Sequence, residues 1–240
     1  MKKNNVYELP SFNTALSLLG MASQIEDLKS DNKKISEQAA RTILKALDCK
    51  DHYTFGHSMR VAYFSLVTGA EAGLSSDEMH ELELSAIFHD IGKIGTPDAV
   101  LNKPSRLTEE EFSVMKQHPV QSSEILQDFP HFEKISINAR YHHERFDGKG
   151  YPDGLKGEQI PLAARIILIA DTFDAMTSTR PYRKGLSYEV AFDELLQFSG
   201  TQFDPHLVKL FVEGMRKEGL KGEDQFYIPL MDCKYDKNAA

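Results

Sequence analysis

Wherever apolar residues recur regularly along this chain, they do so at three- and four-residue intervals, the spacing that lines up side chains on one stripe of an α-helix. Ile35, Ala39, Ile43, Leu44 and Leu47 form one such stripe, and Met59, Ala62, Leu66, Val67 and Ala70 form another that Gly73 closes. Ser75 with Glu78, and Thr108 with Glu111, carry the pairing of a capping box, in which side chains satisfy the backbone donors left open at a helix start. Further helices are expected from about Phe132 to His143, from Leu162 to Met176, from Ser187 to Phe198, and from Asp204, an N-cap residue followed by Pro205. No alternating run with flanking turn signals is long enough to argue for a sheet, so the expected fold is all-α. The stretch from Asp147 to Pro161, with Gly148, Gly150, Gly154, Gly157 and Pro152, reads as a long loop, and a long loop inside a compact domain is often functional.

Composition narrows what such a fold can do. With 41% apolar residues among 240, the chain can bury a core. A formal net charge of -8 disfavours a protein that coats nucleic acid through phosphate contacts. Cys49 and Cys233 stand far apart, so neither a disulfide framework nor a thiolate zinc cluster is expected. The apolar run Ile166 to Ala170 falls far short of the roughly 20 residues that a membrane helix needs. Lys2 and Lys3 precede an apolar stretch that Asn13, Thr14 and Ser17 dilute, so the chain reads as cytoplasmic and without a membrane anchor. Residues 1–34 read as an N-terminal appendage that could support a homodimer, 35–220 as the main domain and 221–240 as a tail.

Nine histidines occur, and their neighbours matter more than their number. His89 adjoins Asp90, and the pair His142 and His143 adjoins Glu144, so imidazoles and carboxylates meet near helix ends. That donor mixture suits divalent iron, manganese, zinc or nickel, and a carboxylate can bridge two ions where an imidazole binds one. His52, His80, His131 and His206 lack such company and read as surface or packing residues.

Ordered segments then carry a family resemblance: Asp51 to Ser58, His89 to Gly95, Lys116 to Pro119, His142 to Pro152, Ala170 to Met176 and Arg180 to Arg183. Over about Ser36 to Val212 the chain resembles an HD-GYP domain of the HD phosphohydrolase superfamily, a helical bundle with a Gly-Tyr-Pro loop. The resemblance implies a cyclic di-GMP phosphodiesterase that produces linear pGpG, and GMP on further cleavage, through a metal-bridging hydroxide. It implies metal ligation by His57, His89, Asp90, His118, His142, His143 and Asp171, with Asp90 as the bridge, and two divalent ions, iron or manganese ahead of nickel or zinc. Lys93, three residues after Asp90, is expected to meet the phosphate or the nucleophile, and Tyr151, Arg180 and Arg183 to contact the dinucleotide. Glu144 and Asp147 are expected to orient ligands or fix the loop. A second reading remains open: a non-catalytic cyclic di-GMP sensor, or a module that docks onto diguanylate cyclase domains. Tyr53 stands where some family members carry a glutamate for a third ion, and Thr96, Ser105, Ser122 and Thr179 are smaller departures.

Overall fold

The computed structural model describes residues 52–179, 184–218, 225–228 and 233–236, together with scattered positions between 21 and 42. The chain divides into two compact units, Met1–Ala40 and Arg41–Ala240. In the first, the described positions from Met21 to Ala39 are helical and exposed. Ile35 and Ala39 are therefore helical as expected, but they cover no core face, and Ile43, Leu44 and Leu47 lie outside the described residues.

The second unit is built of helices: α1 (His52–Glu71), α2 (Ser76–Phe88), a 3-10 turn (Ile91–Gly95), α3 (Asp98–Leu101), α4 (Glu109–Met115), α5 (His118–Leu126), α6 (Glu133–Tyr141), α7 (Leu162–Thr177), α8 (Tyr188–Gln197) and α9 (Pro205–Lys217). Their starts follow the sequence signals closely. At α2 the Ser75 hydroxyl accepts from the Glu78 amide at 3.4 Å while the Glu78 carboxylate accepts from the Ser75 amide at 2.9 Å. Thr108 and Glu111 repeat the arrangement at α4, and Asp204 caps α9 through the His206 amide at 2.9 Å. These caps fix where each helix begins, and hence which side chains fall at its ends.

The core behind the site is aromatic. Phe64 of α1, Phe192 of α8 and Phe211 of α9 surround Phe173 of α7, with ring centroids 5.1, 5.3 and 4.9 Å from it. Such edge and offset contacts add to the burial of large apolar surfaces and lock α1 to α7. The helical expectation holds for this unit. The tail adds an antiparallel hairpin, β1 (Gln225–Ile228) and β2 (Cys233–Asp236), with Gln225 opposite Asp236. Gln225–Ile228 has three apolar residues in a row and Cys233–Asp236 alternates over only four residues, so neither stands out as a strand in the sequence.

Candidate metal centre

Five helices bring their polar residues to one place. His57 lies in the second turn of α1, His89 and Asp90 just after α2, His118 at the start of α5, His142 and His143 just after α6, and Asp171 in α7. Asp90, His118, His142 and His143 hold ligand atoms within 4.8 Å of one another, and so do His57, His89 and Asp90. Asp90 belongs to both groups, as a bridging carboxylate would. Asp171 joins through Oδ1, 3.3 Å from His57 Nε2. All seven residues expected from the sequence as ligands thus meet in one cluster.

Hydrogen bonding settles the direction in which the imidazoles point their lone pairs. His89, His118 and His142 each place Nδ1 on the backbone carbonyl three residues earlier, at Ala86, Met115 and Ala139, with distances of 2.6, 2.7 and 2.6 Å. A carbonyl only accepts, so each Nδ1 carries the proton, and in the neutral form of the ring Nε2 is left as a bare lone pair. Those lone pairs face other acceptors. His118 Nε2 lies 3.4 Å from His142 Nε2, and His89 Nε2 lies 3.2 Å from Asp90 Oδ2. His118 Nε2 is also 3.1 Å from Asp90 Oδ1, yet Asp90 Oδ1 and His89 Nε2 are buried without a hydrogen-bond partner. Acceptors crowded together out of water are unfavourable unless a cation is shared among them. The residues present therefore fit a divalent metal centre.

Charge in the cluster is strongly biased. Burial, then the neighbouring His143 and His89, hold His142 well below its ordinary pKa. Burial and His118 push His143 down to about 3, so both imidazoles are neutral at pH 7. For His57, burial acts downward, but Asp171, Asp174 and Asp90 outweigh it and raise the ring well above its usual value. Burial would raise the Asp90 carboxyl, yet Lys93 and His89 hold it well below the usual carboxylate range.

Other side chains hold the ligands in place. His57 Nδ1 donates to Asp174 Oδ2 at 2.7 Å. Asp174 is itself clamped by Arg60 through Nε at 2.5 Å and Nη2 at 3.1 Å, and by the Ser178 hydroxyl at 3.1 Å. Outer carboxylates of this kind fix the tautomer and basicity of a metal-binding imidazole. Lys93 places Nζ 2.5 Å from Asp90 Oδ2. Gly92 makes the contact of the 3-10 turn with α5 possible: a Cβ there would sit 2.2 Å from the His118 carbonyl oxygen. The Ser122 hydroxyl accepts from the Gly92 amide at 2.8 Å, so this departure from the family pattern ties the turn to α5.

The Gly-Tyr-Pro loop closes over one flank. Glu144 Oε1 accepts from the Asp153 and Gly154 amides at 2.7 and 2.8 Å, and Asp147 pairs with Arg145 at 2.8 Å, which matches their expected loop-fixing roles. At Gly150 a Cβ would meet the Arg145 nitrogen at 2.3 Å, so the loop folds back on itself only with glycine there. The Tyr151 ring stacks on His143, with centroids 4.9 Å apart. Burial and the nearby Asp90 and Asp171 push its hydroxyl pKa up. Arg180 and Arg183 lie outside the described residues, as does the side chain of Tyr53. The sequence reading did not single out Asp174 or Arg60. The three-residue spacing of Asp171 and Asp174, and of His57 and Arg60, on two facing helices was the available signal.

Residues 25–207 match the HD domain family. The chain is 38% identical over 192 residues to the cyclic di-GMP phosphodiesterase response regulator RpfG of Xanthomonas campestris pv. campestris, covering 78% of this chain and 51% of that protein. It is 42% identical over 166 residues to a cyclic di-GMP phosphodiesterase of Thermotoga maritima, covering 68% of this chain and 45% of the relative. The chain thus spans about half the length of these curated relatives. Among solved structures, a cyclic GMP-AMP specific phosphodiesterase of Vibrio cholerae superposes with a TM-score of 0.55 at 25% identity, over 70% of this chain and 46% of that one.

Proposed function

The chain belongs to the HD domain family, of the HD-GYP type, and on that premise we propose that it is a metal-dependent phosphodiesterase that opens cyclic di-GMP to linear pGpG and cleaves this further to GMP. The observation that carries the reading is the set of imidazole nitrogens converging on the shared carboxylate of Asp90, which supports a site for two cations. HD domain phosphohydrolases bind divalent metals, and His57, His89, His118, His142, His143 and Asp171 would hold them on either side of Asp90. Iron or manganese suits these nitrogen and oxygen donors. When bound, such a pair of ions supplies Lewis acidity and lowers the pKa of water.

The chain's own residues do the rest. Water adds to phosphorus, and the bond to the ribose 3′ oxygen breaks with a proton going to that oxygen. Lys93, its ammonium against Asp90, neutralises charge that grows on the phosphoryl oxygens. Asp174 keeps the His57 ring turned with Nε2 toward the cluster. Tyr151, Arg180 and Arg183 take the dinucleotide, with Tyr151 held at the cluster by its stacking on His143. The supporting relatives are named for cyclic di-GMP hydrolysis. Likeness to a cyclic GMP-AMP specific enzyme favours that mixed dinucleotide as a second substrate. The test is incubation of anaerobically metal-loaded protein with each dinucleotide and chromatography of the products. Appearance of pGpG supports the reading, and fully loaded protein that leaves cyclic di-GMP intact refutes it.

A further inference from the structure

The ring of Tyr151 is already committed, since it stacks on His143. The next ring outward is Phe112 of α4, its centroid 6.4 Å from that of Tyr151 in an edge arrangement. Unlike the core aromatics, Phe112 is 42% exposed. One helical turn later, Lys116 holds its ammonium 5.0 Å from the Phe112 centroid, over the ring. The nearby carboxylate of Glu111 is taken by Lys103, and Lys116 has no ion-pair partner among the described residues. A continuous ledge therefore runs from the metal cluster through His143 and Tyr151 to an exposed ring with a cation above it.

An exposed aromatic face beside a phosphodiester site suits a flat base, because every base presents a π-face. A base that takes the place of Lys116 over the Phe112 ring moves the ammonium to its own edge, where a cation discriminates. Guanine offers two acceptors, O6 and N7, where adenine offers one acceptor and an amino donor. Resting on the reading above that the substrate is a guanine-containing cyclic dinucleotide, we propose that Phe112 and Lys116 receive its base: Phe112 as the stacking platform and Lys116 as the donor that selects guanine over adenine. The two residues then have separable effects. Phe112 governs affinity for any base, and Lys116 governs the choice between bases.

The experiment compares wild type, Phe112→Ala, Phe112→Trp and Lys116→Met in hydrolysis of cyclic di-GMP and cyclic di-AMP, each rate normalised to that on methyl p-nitrophenyl phosphate, which has no base. Phe112→Ala is expected to raise KM for both dinucleotides about tenfold, the size of one lost base stack, with Phe112→Trp restoring it. Lys116→Met is expected to lower the preference for cyclic di-GMP over cyclic di-AMP about tenfold. Unchanged KM in Phe112→Ala, or an unchanged preference in Lys116→Met, overturns the proposal. Calorimetric titration with 5′-GMP and 5′-AMP keeps it apart from the reading of function. If wild type hydrolyses no cyclic dinucleotide, loss of the GMP preference in Lys116→Met still supports the ledge, and an equal preference in both proteins overturns it.

Discussion

The two sides of Asp90 share one support and differ in another: His89, like His118 and His142, rests on a backbone carbonyl three residues back, and only the His57 side adds a side-chain support. On one side, His57 is oriented by the side chain of Asp174, on a helix 117 residues away in sequence, and that carboxylate is clamped by Arg60. On the other, His118 and His142 are oriented by carbonyls three residues back on their own chain segments. A side-chain support can be deleted by one substitution. A backbone support survives any side-chain change and fails only when the segment itself is displaced. The two halves should therefore respond to different mutations.

The largest effect removes the element both halves share. Asp90→Ala is expected to abolish turnover and to reduce bound metal in both groups, as read by metal analysis and product chromatography. Asp174→Ala separates the halves. Loss of an outer carboxylate lowers metal affinity about 10- to 100-fold, here for the group that contains His57, so limiting metal should fill the His118 group alone. The same change removes the buried carboxylate that His57 shares with Arg60, whose side chain is only 12% exposed, and should cost about 3–5 kcal/mol in urea denaturation.

Gly92→Ala is the corresponding test of the backbone-held half. The added Cβ meets the His118 carbonyl, so the 3-10 turn and α5 must part, at about 1–3 kcal/mol of stability. Metal affinity should fall first in the His118 group, the reverse of Asp174→Ala. The smallest effect is that of Ser122→Ala, which leaves the buried Gly92 amide without its acceptor. It should lower stability by about 1–2 kcal/mol with metal stoichiometry retained. Equal losses in both metal groups for Asp174→Ala and Gly92→Ala would break the distinction between the halves.

The same contrast explains how much of the molecule was legible in the sequence. Ser75, Thr108 and Asp204 announced their helices because capping is local chemistry, settled within three residues. The seven clustered residues were legible through resemblance, because they sit in short ordered segments. Asp174 and Arg60 were quoted or passed over without a role, since their meaning arises only when α1 packs on α7 through Phe64 and Phe173. Gly92 likewise was quoted without a role inside His89 to Gly95, and its meaning appears only when the His118 carbonyl lies against it. Ile35 failed the other way: helical periodicity was present, but among the described residues nothing covers it, and it is 66% exposed. Phe112 was not singled out and Lys116 was quoted only within the segment Lys116 to Pro119; the neighbouring Tyr151 ring gives them a place beside the site.

The central claim is that the groups on either side of Asp90 hold two ions that act together on one phosphodiester. The most direct measurement is metal content per chain of anaerobically purified protein loaded with iron or manganese, taken in parallel with chromatography of products from cyclic di-GMP. The expected result is about two ions per chain with pGpG formed, and neither in Asp90→Ala. Turnover of cyclic di-GMP by chains holding one ion or none, or two ions bound with the substrate left intact, would contradict it.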